Sequence, residues 1–105
     1  MHVEYDSNDL ERLCTDEKEM KRERSDLVKK LPLRIKALEE AQSVSHLKEH
    51  DPLGHWHQLT GDWEGHWAGS VSKNHRIIIR PEGVARDALG EAVFVTVVEA
   101  GYDYH

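Results

Sequence analysis

The sequence predicts an α+β domain, with helices packed on one face of an antiparallel-rich sheet. Two patterns carry this expectation. Apolar residues recur at helical spacing through the first half of the chain; from residue 55 onward they gather into short runs rich in β-branched and aromatic residues, divided by Gly, Asn and Pro. Length bounds the answer further, because 105 residues can bury one core and not two, so residues 1–105 are read as a single domain.

Val3-Glu4-Tyr5 alternates as a first strand would, and Ser7 or Asn8 can cap a helix running through Leu10 and Leu13 to Cys14. Residues 16–24 are charged almost throughout and read as the solvated face of a helix with opposite charges at helical spacing, without a functional role. From Asp26, the residues Leu27, Leu31, Ile35 and Leu38 form one apolar stripe on a helix ending near Ala41. Pro32 interrupts that stripe and has no N–H to give the Val28 carbonyl, which predicts a kink or break there. Ser43 or Ser45 can cap a short helical turn around Leu47, and residues 50–54 form a connector.

Four strands are then expected, at residues 55–59, 65–71, 75–80 and 93–99. Gly61 and Gly65 bound a loop tip that needs backbone angles other residues avoid, Ser72-Lys73-Asn74 is a polar turn, and Pro81 to Glu91 is a long connection. The nearly unbroken apolar run Phe94 to Val98 reads as a central strand buried on both faces. Trp56, Trp67 and Tyr102 read as packing residues, and Trp63 as the exposed aromatic of the loop.

Fourteen Lys and Arg against twenty Asp and Glu give a net charge of −6, which opposes contact with nucleic acid. The second half is the more acidic in proportion, with only Lys73, Arg76, Arg80 and Arg86 as fixed cations, but it also holds His55, His57, His66, His75 and His105. Its charge therefore changes steeply near the ordinary imidazole pKa of about 6.5. Cys14 is the only cysteine, which excludes an internal disulfide and a thiolate metal cluster. With no apolar run approaching a membrane span and no signal-like start, a cytoplasmic protein without membrane contact is expected.

Chemistry converges on residues 57–76. A strand opening with His75-Arg76, laid beside the segment Tyr102-Asp103-Tyr104-His105, would assemble a guanidinium, phenols, a carboxylate and imidazoles. That set suits acid–base chemistry on a phosphodiester. His55 and His57, two apart, could instead join His66, His75 or a carboxylate around a metal, although the spacing matches no zinc motif.

The segments Val3-Glu4-Tyr5, Leu10 to Lys18, Lys29-Lys30-Leu31, Ile35 to Glu39, His57-Gln58-Leu59-Thr60-Gly61-Asp62, Arg76-Ile77-Ile78 and Asp103-Tyr104-His105, in that order, resemble the HigB-type toxins, or plasmid maintenance killer proteins, of the RelE/ParE superfamily. The resemblance implies a small RelE-like, microbial-ribonuclease-like sheet with packed helices. It implies a toxin that cuts messenger RNA in the ribosomal A site without a metal or other cofactor. It also implies a small helix-turn-helix antitoxin of the HigA type, through which alone the protein would meet DNA.

Carried over residue by residue, the resemblance makes His57, Arg76, Asp103, Tyr104 and His105 the candidate catalytic residues. Arg76 would supply the fixed charge, His57 and His105 would divide the base and acid roles, Asp103 would orient an imidazole, and Tyr104 would bind a phosphate or stack on a base. Thr60, Trp63 and Lys73 are the candidate substrate-binding residues. Thr60 replaces a lysine usual in the family, and Trp63 occupies a position commonly basic, so two phosphate-facing cations are missing. A RelE-fold protein that only binds its antitoxin is the alternative those departures leave open.

Overall fold

A computed structural model describes residues 1–103 of the chain. The strand β1 (His2–Tyr5) leads into helix α1 (Asn8–Thr15), which starts where the Ser7 hydroxyl accepts the Leu10 N–H at 3.1 Å. Asp16 ends α1 and caps α2 (Glu17–Glu23), its carboxylate accepting from the N–H groups of Lys18 and Glu19. The exposed side of α2 carries the expected ion pairs, Lys21 with Glu17 and Arg22 with Glu19. On its inner side Met20 is buried, as is Cys14 of α1, whose thiol burial pushes up to about 12.

The apolar stripe from Leu27 is divided more cleanly than a kinked helix would be. Ser25–Leu27 forms one turn of 3₁₀ helix, and α3 (Leu31–Glu40) begins afresh with Pro32 in its first turn. There the missing proline N–H costs nothing, since first-turn donors have no partner inside the helix. A further short helix, α4 (Leu47–His50), and a 3₁₀ turn at Pro52–Gly54 lead to the sheet.

β2 (His57–Gln58), β3 (Trp67–Ser70), β4 (His75–Pro81) and β5 (Phe94–Asp103) complete five strands in the order β1-β5-β4-β3-β2. β1 runs parallel to β5 and the remaining pairs are antiparallel. Relative to expectation β2 is short. His55 before it takes a left-handed backbone, φ 49°, and Trp56 turns into the core beneath Gly69, where an added Cβ would lie 2.9 Å from the indole. β5 is long, and it lies between β1 and β4 rather than at the middle of the sheet.

The helices cover one face. Leu27, Leu31, Leu38 and Leu47 meet Ile77 and Ile79 of β4 and Val95 and Val97 of β5, all fully buried. Because strand side chains alternate, Ile78 points the other way and joins Leu59 and Ala68 under Trp63, Val98 and Tyr102. Phe94 and Val98 are only half-buried, so the β5 run is sealed on the helix side alone.

Pairing between β4 and β5 shifts twice. Ile79 faces Val97, Ile78 faces Glu99 and Arg76 faces Tyr102, so β5 gains one residue over each step. Such bulges twist a strand and re-aim the side chains beyond them. They let Ala100 enter the core although Glu99, in phase with Val97, stays exposed.

Candidate active site

Arg76 opens β4 on the face the helices leave uncovered, level with Ser70 on β3 and Tyr102 on β5. Its Nη1 donates to the carbonyls of Ser72, at 3.2 Å, in the turn that precedes the strand, and of His75, at 3.0 Å, the first residue of the strand. Those contacts help to set the direction of a planar guanidinium. Beside it the loop folds down. Gly61 and Gly65 take positive φ, 66° and 90°, as the loop reading requires, and the turn sets Trp63 edge-on to Tyr102, centroids 5.3 Å apart, and to His66 at 5.1 Å. Trp63 is thus a half-buried packing partner of Tyr102, not the freely exposed aromatic the sequence implies.

His57 shares this face. It pairs with Ala68, which pairs with Ile78, and directly opposed residues point to one side of a sheet. Two strand spacings, about 10 Å, separate its backbone from β4. A carbonyl can only accept, so the 2.9 Å contact between His57 Nδ1 and the His55 oxygen puts a proton on Nδ1. In the neutral ring the acceptor lone pair is then on Nε2, on an exposed side chain that can take a proton. Thr60 and Lys73 are exposed, Thr60 before the 3₁₀ turn Gly61–Trp63 and Lys73 in the β3–β4 turn.

Asp103 lies elsewhere. It pairs with His75, whose side chain faces the helix side one residue away from Arg76, and it lies in the field of Arg24. The pairing therefore groups Arg76 with Tyr102 and Asp103 with His75. Tyr104 and His105, the remaining predicted catalytic residues, lie outside the described residues.

Arg24 is a cation of this region that the sequence does not single out, since residues 16–24 read as a solvated helical face and Arg76 as the fixed cation. Its Nε and Nη2 bind the two Asp26 oxygens at 3.1 and 3.0 Å, and Nη1 donates to the Gly101 carbonyl at 3.3 Å. The hydrogen-bonded Asp26 raises the Arg24 pKa, with Asp103 adding to it, and Arg24 in turn holds the Asp26 carboxyl below its ordinary range. No sequence signal separates Arg24 from the neighbouring charges, since its partner is 77 residues away.

Among the described residues, no group of three or more His, Cys, Asp or Glu is arranged to hold a metal ion. A cleft of about 500 Å³ between α1 and α2 contains none of the predicted site residues, and its Arg12 and Arg22 are paired with Asp9 and Glu19.

No protein-family model and no curated protein matches the chain. Solved structures do match it. A YoeB/ParE toxin from Agrobacterium tumefaciens superposes with a TM-score of 0.57 at 19% identity, over 99% of this chain and 100% of that one. The YoeB-YefM complex from Staphylococcus aureus matches with a TM-score of 0.60 at 13% identity, over 99% of this chain and 98% of that one. The chain has the YoeB/RelE-like toxin fold. At such identities the likeness is one of fold, and the YoeB-like sheet presents Arg76, Tyr102, Trp63 and His57 on its uncovered face.

Proposed function

We propose that this protein is the toxin of a type II toxin–antitoxin pair, a HigB-like member of the RelE/ParE superfamily that cuts ribosome-bound messenger RNA in the cytoplasm. The observation that carries this reading is the pairing of Arg76 with Tyr102 on the open face of a YoeB-like sheet. In the proposed reaction His57 Nε2 takes the proton of a ribose 2′-hydroxyl, whose oxygen bonds to the adjacent phosphorus. The bond from phosphorus to the 5′-oxygen breaks, and the imidazolium of His105 protonates that leaving oxygen. The products are a 2′,3′-cyclic phosphate and a 5′-hydroxyl. Arg76 faces the extra negative charge of the phosphorane, Tyr104 binds phosphate or base, and Trp63 offers a stacking surface. Two imidazoles and a guanidinium account for both proton transfers and the charge, so the scheme needs no cofactor.

Expression in a bacterium tests it: growth stops, and primer extension finds new 5′ ends in ribosome-bound message. Arg76→Ala relieves the arrest, because losing a charge contact to a developing oxyanion costs about 3 kcal/mol, on the order of a hundredfold in rate. A harmless wild type that leaves messages intact overturns the proposal.

The second reading keeps the fold and the antitoxin but not the cleavage. It is favoured by Thr60 and Trp63, which bring no charge to the substrate side, and by the net charge of −6. The antitoxin is proposed to be a helix-turn-helix protein of the HigA type; the solved YoeB-YefM complex supports a protein partner for a toxin of this fold, whatever the partner's type. If Thr60→Lys gains no cleavage over an inactive parent while such a partner binds at nanomolar strength, this second reading replaces the first. No helix of the described residues is long and apolar enough to cross a membrane.

A further inference from the structure

We infer that Arg24 is a positioning residue, whose guanidinium, clamped by Asp26, holds the Gly101 carbonyl and so fixes the end of β5 against the Arg76 end of β4. The inference deepens the ribonuclease reading and rests on it for its kinetic part.

The need arises from the two bulges. Each extra residue in β5 interrupts the ladder to β4, and both interruptions fall between Val97 and Tyr102, just before the residues that flank Arg76 and His75. Beyond the two bulges the ladder resumes with Tyr102 opposite Arg76 and Asp103 opposite His75. Arg24 supplies an added tie at that place, from a segment fixed independently by Leu27 in the core. Hydrogen bonds from a charged donor are about twice as strong as neutral ones, and the two-pronged contact with Asp26 fixes the direction of the third.

Gly101 is part of the device. A Cβ there would lie 2.5 Å from Arg24 Nη1 and 2.7 Å from Nη2, so only glycine admits the guanidinium against the strand. The same network reaches the other side of the site. Asp26 Oδ2 lies 3.9 Å from His75 Nδ1, which contacts the Ser72 hydroxyl at 2.8 Å, and the Ser72 carbonyl accepts from Arg76. The tail of β5 and the turn that orients Arg76 thus share one anchor on the helical side.

Two substitutions remove the tie by different routes. Arg24→Ala deletes the donor; Gly101→Ala pushes a flexible guanidinium aside without entering the core. In both, hydrogen exchange at the amides of Tyr102 and Asp103 is expected to speed up about tenfold or more, the equivalent of one charge-assisted hydrogen bond, while Val95 and Val97 keep their protection. RNA cleavage is expected to lose about tenfold in kcat with KM for RNA within about twofold, and Arg24→Lys to recover part of it, as a loss of orientation rather than of binding requires. Unchanged exchange at Tyr102 and Asp103 in both variants overturns the inference, and so does lost protection with full kcat. If the wild type cleaves no RNA, the ribonuclease reading fails, and the exchange measurement alone decides whether Arg24 holds the strand. Should Arg24→Ala not fold, Gly101→Ala carries the same test.

Discussion

The two faces of the sheet are built from the same strands and do different work. β4 gives Ile77 and Ile79 to the helical side, where they meet leucines from three helical segments, and gives Arg76 and Ile78 to the other. One side is closed by helices and holds most of the buried apolar surface. The other carries a small apolar cluster, edge-on aromatic rings and an oriented guanidinium. The contrast teaches that stability and candidate chemistry are separated here by a single residue of phase, so substitutions one position apart are expected to have different consequences.

The largest effect is expected from a buried charge on the closed side. Arg34 of α3 is 4% exposed, and it donates to the Ser70 carbonyl at 2.6 Å, to Asp51 at 3.2 Å and to the Leu53 carbonyl at 3.1 Å. Asp51 also accepts from the Trp56 indole. Asp51→Ala leaves a guanidinium buried without its counter-charge and is expected to cost about 3–5 kcal/mol in urea unfolding. A loss under about 1 kcal/mol would mean that carbonyls alone satisfy Arg34.

Next comes the direct comparison of neighbours. Ile77→Ala, in the large cluster, is expected to cost about 4 kcal/mol; Ile78→Ala, beneath partly exposed rings that can settle into the gap, about 2 kcal/mol. Equal losses would show that the open face is as rigidly packed as the closed one. Trp63→Ala should cost still less, about 1 kcal/mol, for its edge-on contacts with Tyr102 and His66. On the ribonuclease reading it should also weaken single-stranded RNA binding about tenfold, measured by fluorescence anisotropy, since one stacked base is worth about 1–3 kcal/mol.

The closed side was the legible one. The stripe Leu27, Leu31, Ile35 and Leu38 and the run Ile77 to Ile79 announce burial by spacing alone, and Pro32 marks the break, although it stands in the first turn of a new helix rather than in a kinked one. Harder to read were features that depend on contacts between distant residues. β2 is short because Trp56 is drawn beneath Gly69, and β5 overruns its expected end because bulges let Ala100 take a core position out of phase with Val97. Arg76 beside the segment at residue 102 follows from strand order, so that much of the candidate site could be foreseen. Arg24 could not, because a charge that holds a carbonyl 77 residues away looks, in sequence, like the charges on either side of it.

The smallest expected effect lies on the helical side near the end of β5, where Asp26 meets Arg24. Arg24 holds the folded-state pKa of Asp26 below its ordinary value. The contact therefore adds stability at every pH above the unfolded value of about 3.9, and that contribution is lost as pH falls through the lowered folded-state pKa. The Asp26 side chain is 48% exposed, so solvent screens the pair and its worth is under about 1 kcal/mol. Urea unfolding of wild type and Asp26→Asn should differ by that small amount from pH 7 down to about pH 5, and the difference should vanish in strong acid, where both side chains are neutral. A difference that persists at low pH would assign the effect to the shape of the contact and not to its charge. The Arg24 tie to Gly101 would then be expected to survive loss of the Asp26 carboxylate.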